Sequence, residues 1–191
     1  AIVGESGSGK SVSAMALMGL LPKSAQITGD VRYRGEDVLA MSPKRSRALR
    51  GQNIAMIFQD PMTAMNPVYT VGDQLVETIL THLDVSRDEA RSRALQLLGE
   101  VGIPAPEKRI DHYPHQFAGG MRQRVVIALA LCANPKLVIA DEPTTALDVS
   151  IQAQIITLLK KLCREHGTAV MLVTHDMGVI AETADRVAVM Y

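Results

Sequence analysis

The chain of 191 residues has no net charge and only two cysteines, and each shortage excludes a class of function. Its 20 lysine and arginine residues balance 20 aspartate and glutamate residues. It therefore offers nucleic acid no general electrostatic attraction, and we expect no nucleic-acid partner. Cys132 and Cys163 lack the spacing of metal ligands. We predict that both are core thiols of the kind that a cytosolic protein keeps reduced.

Long apolar runs are also missing. No segment approaches the ~20 apolar residues that a helix needs to span a bilayer, and no signal segment opens the chain. We therefore expect a soluble protein that can still dock on a membrane partner. The first and last residues, AIVGES and DRVAVMY, are typical of strands that are incomplete. From this we expect that N- and C-terminal elements of the full domain are missing.

Short apolar segments alternate with helical ones along most of the chain. NIAMIFQD, LVIADE and TAVMLVT predict buried strands, and together they predict an α/β fold with a parallel sheet covered on both faces. Between residues 61 and 124 the pattern changes to helical periodicity with charged outer faces. We assign residues 1–60 and 125–191 to the parallel-sheet core and 61–124 to an inserted helical subdomain.

The segment GESGSGKS matches the phosphate-loop pattern G-x-x-x-x-G-K-[ST] between a predicted strand and a predicted helix. Its glycines let backbone N–H groups point at phosphate oxygens, and the helix adds the positive end of its dipole. The lysine can reach the β- and γ-phosphates, and the last serine hydroxyl can bind Mg²⁺. The predicted nucleoside triphosphate site comprises Gly4, Glu5, Ser6, Gly7, Ser8, Gly9, Lys10 and Ser11. The motif alone leaves a kinase, a GTPase and an ATPase open.

The segment LVIADE delivers two carboxylates to the end of a buried strand, where parallel sheets hold their ligands. We predict that Asp141 binds Mg²⁺, directly or through water. We predict that Glu142 orients and polarises a water for in-line attack on the γ-phosphate. Because side chains alternate along an extended strand, the two neighbouring acids should take different roles.

Three further polar residues follow predicted strands or precede a helix. Gln59 ends IAMIFQ and is either a polar strand end or a contact to Mg²⁺ or the attacking water. His175 follows MLVT and is either structural or a contact to the γ-phosphate. Asp148, in TTALD, occupies the position of a helix N-cap, a role that is compatible with a second one.

These motifs, in the order GESGSGKS, Gln59, FAGGM, LVIADE, TALD and His175, resemble the ATP-binding cassette family over essentially the whole chain. Phosphate loops are widespread, so the glycine pair in FAGGM is the specific part. The resemblance implies a P-loop NTPase core of the RecA-like type with a helical subdomain, and ATP and Mg²⁺ as ligands. It also implies a head-to-tail pair, in which each ATP lies between one partner's phosphate loop and the other partner's signature.

The same resemblance implies roles for the signature residues. Gly119 and Gly120, with Ala118, approach the γ-phosphate of ATP on the partner, and Asp148 crosses the dimer interface. We interpret the glycine pair, placed ahead of an apolar helix predicted over 125–132, as serving the partner's nucleotide and not its own fold. The family usually has serine where this chain has Ala118, and the change removes a hydroxyl that could contact phosphate and cap the helix.

A finer similarity concerns FQDPMTAMNPVYTVGDQL and GGMRQRVVIALAL, which are similar to the subgroup serving oligopeptide, dipeptide and nickel importers. The partners implied are a second ATPase subunit, identical or not, two membrane permease subunits contacted by the Gln59 loop, and indirectly a solute-binding protein. The location implied is the cytoplasmic face of the plasma membrane. The alternative is a soluble ATPase of the same family that acts on DNA or the ribosome. The neutral charge and the short spacing from Gln59 to the signature weigh against it.

Overall fold

The computed structural model describes residues 1–145 and 147–191. Its main feature is a parallel sheet of five strands, which are β1 (Ile2–Gly4), β4 (Ile54–Ile57), β5 (Leu137–Asp141), β6 (Ala169–Thr174) and β7 (Ala188–Met190). Their spatial order is β4–β5–β6–β1–β7. Two short antiparallel strands, β2 (Arg32–Tyr33) and β3 (Glu36–Asp37), form a separate hairpin. The predicted α/β class with a parallel sheet is confirmed.

The register of the sheet brings several strand ends to one edge. Val3 lies opposite Thr174, and Asp141 lies opposite Val173. The segments that follow β1, β5 and β6 therefore leave the sheet at the same edge. This is the edge at which parallel α/β sheets bind ligands.

Within the described residues, eight α-helices accompany the strands. They are α1 (Lys10–Leu17), α2 (Pro43–Gln52), α3 (Val71–His82), α4 (Arg87–Glu100), α5 (Pro106–Arg109), α6 (Gly119–Leu131), α7 (Val149–Glu165) and α8 (Met177–Thr183). Side chains of Thr70 and Ser86 accept hydrogen bonds from backbone N–H groups in the first turns of α3 and α4. The first helix ends at Leu17, close to Gly19, which adopts a left-handed φ of 61° that favours the end of a helix.

Helix α6 corrects the predicted start of the apolar helix at residue 125. It begins six residues earlier, at Gly119, with Ala118 as its N-cap. The helix therefore runs without a break through the division proposed between residues 124 and 125. Apolar side chains from both sides of that division, such as Leu75, Leu98 and Ile127, share one buried cluster with Val138. The division into a sheet core and a helical subdomain stays a prediction.

Polar contacts hold α4 and α6 against each other. Arg93 donates from Nε to the Cys132 carbonyl at 2.8 Å, and Arg124 donates from Nη1 to the Val101 carbonyl at 2.7 Å. Both carbonyls lie at helix ends, where they lack partners within the helix. The helix that begins at Gly119 is therefore fixed to α4 by two hydrogen bonds.

Both cysteines lie in the interior, as predicted. Cys132 and Cys163 are free and buried. Burial raises the pKa of the Cys132 thiol to about 12 and that of Cys163 to about 11. Within residues 1–145 and 147–191, no helix has the length and apolar character needed to cross a membrane.

Candidate active site

The phosphate loop begins where β1 ends and turns on glycine. Gly7 and Gly9 have φ values of 86° and 90°, in the left-handed region that glycine adopts without strain. A Cβ atom at Gly4 would collide with the carbonyl oxygen of Met190 on β7. The Oγ atom of Ser8 is buried and has no hydrogen-bond partner among the described residues. The loop thus combines tight backbone turns with a buried hydroxyl that could donate a hydrogen bond to a phosphate oxygen.

Lys10 is the cation of this loop. It is the first residue of α1 and only 5% exposed. Its Nζ atom donates to the carbonyls of Gly4 and Glu5 at 2.8 Å each. A buried ammonium group held against its own loop is well placed to contact phosphate oxygens bound there.

Ser11 and Asp141 meet across the start of α1 and the end of β5. Ser11 donates from Oγ to Oδ1 of Asp141 at 2.9 Å. Burial raises the pKa of the Asp141 carboxyl and the charge of Glu142 adds to the rise, against the lowering effects of the Ser11 hydrogen bond and of Lys10. A hydroxyl oxygen and a carboxylate oxygen are donors that suit Mg²⁺, which is usually bound by few protein groups together with substrate phosphates. The pair therefore fits the predicted metal.

The two acids of LVIADE differ in backbone conformation, so the alternation along a strand that the sequence predicts does not hold here; their different roles stay a prediction. Asp141 is the last residue of β5, whereas Glu142 has left the extended conformation with a φ of 44°. The Glu142 N–H still donates to the Val173 carbonyl at 2.9 Å. A turn in the backbone, and not alternation along a strand, separates the two carboxylates. Positive φ is uncommon outside glycine and often marks a functional site.

Three donors hold the Glu142 carboxylate. Gln59 Nε2 lies 3.2 Å from Oε2, Thr145 donates from Oγ1 to the same oxygen at 2.8 Å, and His175 Nδ1 lies 3.2 Å from Oε1. Burial acts to raise the pKa of Glu142. The hydrogen bonds from Thr145 and His175 and the charges of His175 and Lys10 outweigh it, so the pKa lies below its ordinary value. Glu142 is therefore ionised at neutral pH. The structure brings together all three predicted catalytic residues.

The signature residues lie at the exposed start of α6. Ala118 is the N-cap and makes no side-chain capping bond, as its missing hydroxyl predicts. Gly119 is exposed as well, and a Cβ added there would lie 3.8 Å from the nearest atom, Cδ2 of Leu147. A Cβ at Gly120 would lie only 2.9 Å from Cγ2 of Ile151 on α7. The interpretation that the glycine pair has no role in its own fold is therefore wrong for Gly120.

Comparison with known proteins decides the family. Residues 1–145 match the sequence model described as ABC transporter. The chain belongs to the ABC transporter family. It is 55% identical over 193 residues to the oligopeptide transport ATP-binding protein OppD of Bacillus subtilis (strain 168), covering 100% of this chain and 54% of that protein. It is 53% identical over 191 residues to the dipeptide transport ATP-binding protein DppD of Escherichia coli (strain K12), covering 100% and 58%. The chain thus spans little more than half the length of these relatives.

Solved structures agree with this assignment of the ABC fold. The dimeric structure of a post-hydrolysis state of the ATP-binding cassette MJ0796 bound to ADP and Pi is similar with a TM-score of 0.83 and 32% identity. The match covers 99% of this chain and 79% of that one. The predicted P-loop NTPase fold is confirmed.

Two residues of the ABC site were not predicted from the sequence. One is Thr145, whose hydroxyl contacts Glu142. The other is Arg122, which donates from Nε to the Phe117 carbonyl at 2.6 Å and from Nη1 to Sδ of Met62 at 3.0 Å. Arg122 joins the signature helix to the segment after Gln59. The first arginine of GGMRQR is the only signal in the sequence for this link, and its acceptor Met62 is 60 residues away.

Asp148 occupies the N-cap position of α7, as predicted, but its side chain makes no capping hydrogen bond. The residue is exposed. Its carboxylate is therefore available for a second role, such as the predicted contact across a dimer. That role stays a prediction.

Proposed function

We propose that the chain binds and hydrolyses ATP as the energising subunit of an importer for dipeptides or oligopeptides. The observation that carries the hydrolytic part is the Glu142 carboxylate. It is ionised and held by Gln59, Thr145 and His175 at the edge of the sheet where the phosphate loop begins. The names of the similar proteins support peptides over nickel as the transported class.

The loop residues bind the triphosphate in this proposal. The N–H groups of the phosphate loop and of the start of α1 face the phosphate oxygens, and Lys10 neutralises their charge. Ser11 and Asp141, with Gln59 as the further predicted ligand, would hold Mg²⁺. That ion supplies charge neutralisation for the phosphates when bound.

Glu142 acts on the attacking water. Its carboxylate orients the water and accepts its proton as the new bond to the γ-phosphorus forms. The bond from the γ-phosphorus to the bridging oxygen breaks, and ADP and inorganic phosphate are the products. The lowered pKa keeps Glu142 ionised, and only the ionised carboxylate can orient the water and accept its proton. His175, which is exposed beside Glu142, would contact the γ-phosphate.

The signature points to a second ATPase subunit. Ala118 and Gly119 are exposed at the start of a helix of 13 residues, which offers backbone N–H groups to an anion held by another chain. Together with Gly120 and Asp148 they are the residues that we propose to complete the nucleotide site of the partner. The dimeric state of the similar cassette supports this arrangement.

The segment after Gln59 is the proposed contact to two membrane permease subunits, at the cytoplasmic face of the plasma membrane. Val68 and Tyr69 are exposed there, and Arg122 ties Met62 of this segment to the signature helix. A movement of the segment would thus reach the start of α6. A solute-binding protein takes part only indirectly. Nothing in the described residues or in the named relatives favours action on DNA or the ribosome.

Replacing Glu142 by glutamine tests the proposal. The amide cannot accept the proton of the water, so we expect turnover in the intact protein to fall about 10²- to 10⁴-fold, the range of general acid–base catalysis. ATP binding should remain, because the phosphate loop is unchanged. Single-turnover hydrolysis and equilibrium nucleotide binding measure the two effects separately. Unchanged hydrolysis would contradict the role of Glu142.

A further inference from the structure

We propose that Thr145 is a positioning residue that fixes the orientation of the Glu142 carboxylate for attack by water. The inference rests on the proposed hydrolytic function of Glu142. Thr145 does not itself contact the reacting atoms in this proposal. It acts through the hydrogen bond from its hydroxyl to Glu142.

The Thr145 contact is the shortest of the three that reach Glu142. Its Oγ1 lies 2.8 Å from Oε2, whereas the Gln59 and His175 contacts are both 3.2 Å. Hydrogen bonds between hydroxyl and carboxylate are strong because the acceptor is charged.

The Thr145 contact is also the most local. Thr145 and Glu142 lie in one turn, in which the Thr145 N–H donates to the Glu142 carbonyl at 3.3 Å. Gln59 is instead separated from Glu142 by 83 residues, and the side chain of His175 is 62% exposed. The Thr145 hydroxyl therefore stays beside the carboxylate even when the segment around Gln59 moves.

Helix α7 braces this turn. Gln152 donates from Nε2 to the carbonyls of Thr144 at 3.1 Å and Leu147 at 2.9 Å. These two acceptors lie on either side of Thr145 in the sequence. The backbone that carries the hydroxyl is thereby tied to a long, packed helix.

A fixed carboxylate retains room for a water. An ionised carboxylate has about four acceptor positions, and the three donors leave at least one free. Because Glu142 has a positive φ, its side chain leaves the backbone in an uncommon direction. The Thr145 bond selects one rotation of the carboxylate among those that this backbone allows.

Valine is the most direct test because it keeps the shape of threonine and removes only the hydroxyl. In the intact protein we expect Thr145→Val to lower kcat for ATP hydrolysis about 5- to 20-fold, as for the loss of one hydrogen bond to a charged group while two remain. The KM for ATP should stay within about twofold, since the phosphate loop is untouched. Thr145→Ser restores the hydroxyl, and its kcat should lie within about threefold of the unaltered protein.

Thr157→Val is the matched control. Thr157 is exposed on α7, and its hydroxyl donates only to the Ala153 carbonyl of its own helix. This variant should keep both kcat and KM, and all variants should unfold at similar temperatures. A Thr145→Val protein with unchanged kcat, or a Thr145→Ser protein as slow as Thr145→Val, would overturn the inference.

A double-mutant cycle with Glu142→Gln separates this inference from the proposed function. If Thr145 acts through Glu142, Thr145→Val should slow single-turnover hydrolysis much less in the Glu142→Gln background than alone. Equal slowing in both backgrounds would overturn the positioning role and leave that of Glu142 standing. If Glu142→Gln alone leaves hydrolysis unchanged, the proposed role of Glu142 is wrong, and the positioning role of Thr145 is overturned with it.

Discussion

At the edge of the sheet, polar side chains hydrogen-bond one another. At the start of α6, by contrast, the exposed residues have no polar side chains and offer only backbone N–H groups. Glu142 is held by three side chains, and Ser11 is bonded to Asp141. Ala118 and Gly119 are exposed, and the N-cap has no side-chain bond. The difference teaches that the chain organises its catalytic cluster by itself. In the proposed assembly, another molecule supplies the polar partners of the signature.

After Glu142→Gln, the largest expected effect comes from removing the cation of the phosphate loop, which belongs to the cluster that the chain organises by itself. Lys10→Ala removes a buried ammonium group, and the loss of a hydrogen bond to a charged group should weaken ATP binding about 10- to 100-fold. Equilibrium binding of ATP by the intact protein measures this. Lys44→Ala removes an exposed lysine on α2 and is the matched control. Equal affinity in the two variants would contradict the assignment of the loop.

The two glycines sharpen the comparison because they face different neighbours. Gly120→Ala should destabilise the fold, because its Cβ would press on Ile151. Overpacking of about 1–3 kcal/mol corresponds to a fall of about 2–12 °C in Tm for a domain of this size. Gly119→Ala has room and should leave the Tm unchanged or slightly raised. Thermal unfolding of the two variants checks this.

The Gly120→Ala effect has its own control. Removing Cγ2 with Ile151→Ala in the same protein should lessen the loss caused by Gly120→Ala. Equal falls in Tm for Gly119→Ala and Gly120→Ala would show that the two positions do not differ as their surroundings require. In the proposed assembly, Gly119→Ala should act instead on hydrolysis by crowding the partner's nucleotide.

The sequence predicts the phosphate loop and the acidic strand end well, because each is a local pattern with one geometry. It also predicts that Gln59, Glu142 and His175 come together, since all three follow parallel strands. It does not predict the start of α6 at Gly119, because glycine has low helix propensity and the packing on Ile151 lies outside the motif. The contact of Arg122 with Met62 depends likewise on tertiary structure.

The smallest expected effect comes from giving the signature its own capping side chain. Ala118→Ser places a hydroxyl at the N-cap, and a gain of about 1 kcal/mol should raise the Tm by about 2–4 °C. Ala118→Val, which cannot cap, is the control. ATP affinity and turnover of the assembled pair should rise with Ser if the hydroxyl also reaches phosphate. A serine variant that matches valine in Tm would contradict the capping argument.

The contact between Gly120 and Ile151 has a consequence for the way such sequences diverge. The side chain at position 120 is limited by the packing of this chain against Ile151. In the proposed assembly, the side chain at position 119 is limited only by another subunit. A lineage that abandoned the paired nucleotide site would be free to replace Gly119 at once. It would keep Gly120 until Ile151 also changed. Substitutions at 120 and 151 should therefore appear together in descendants, and those at 119 should appear alone.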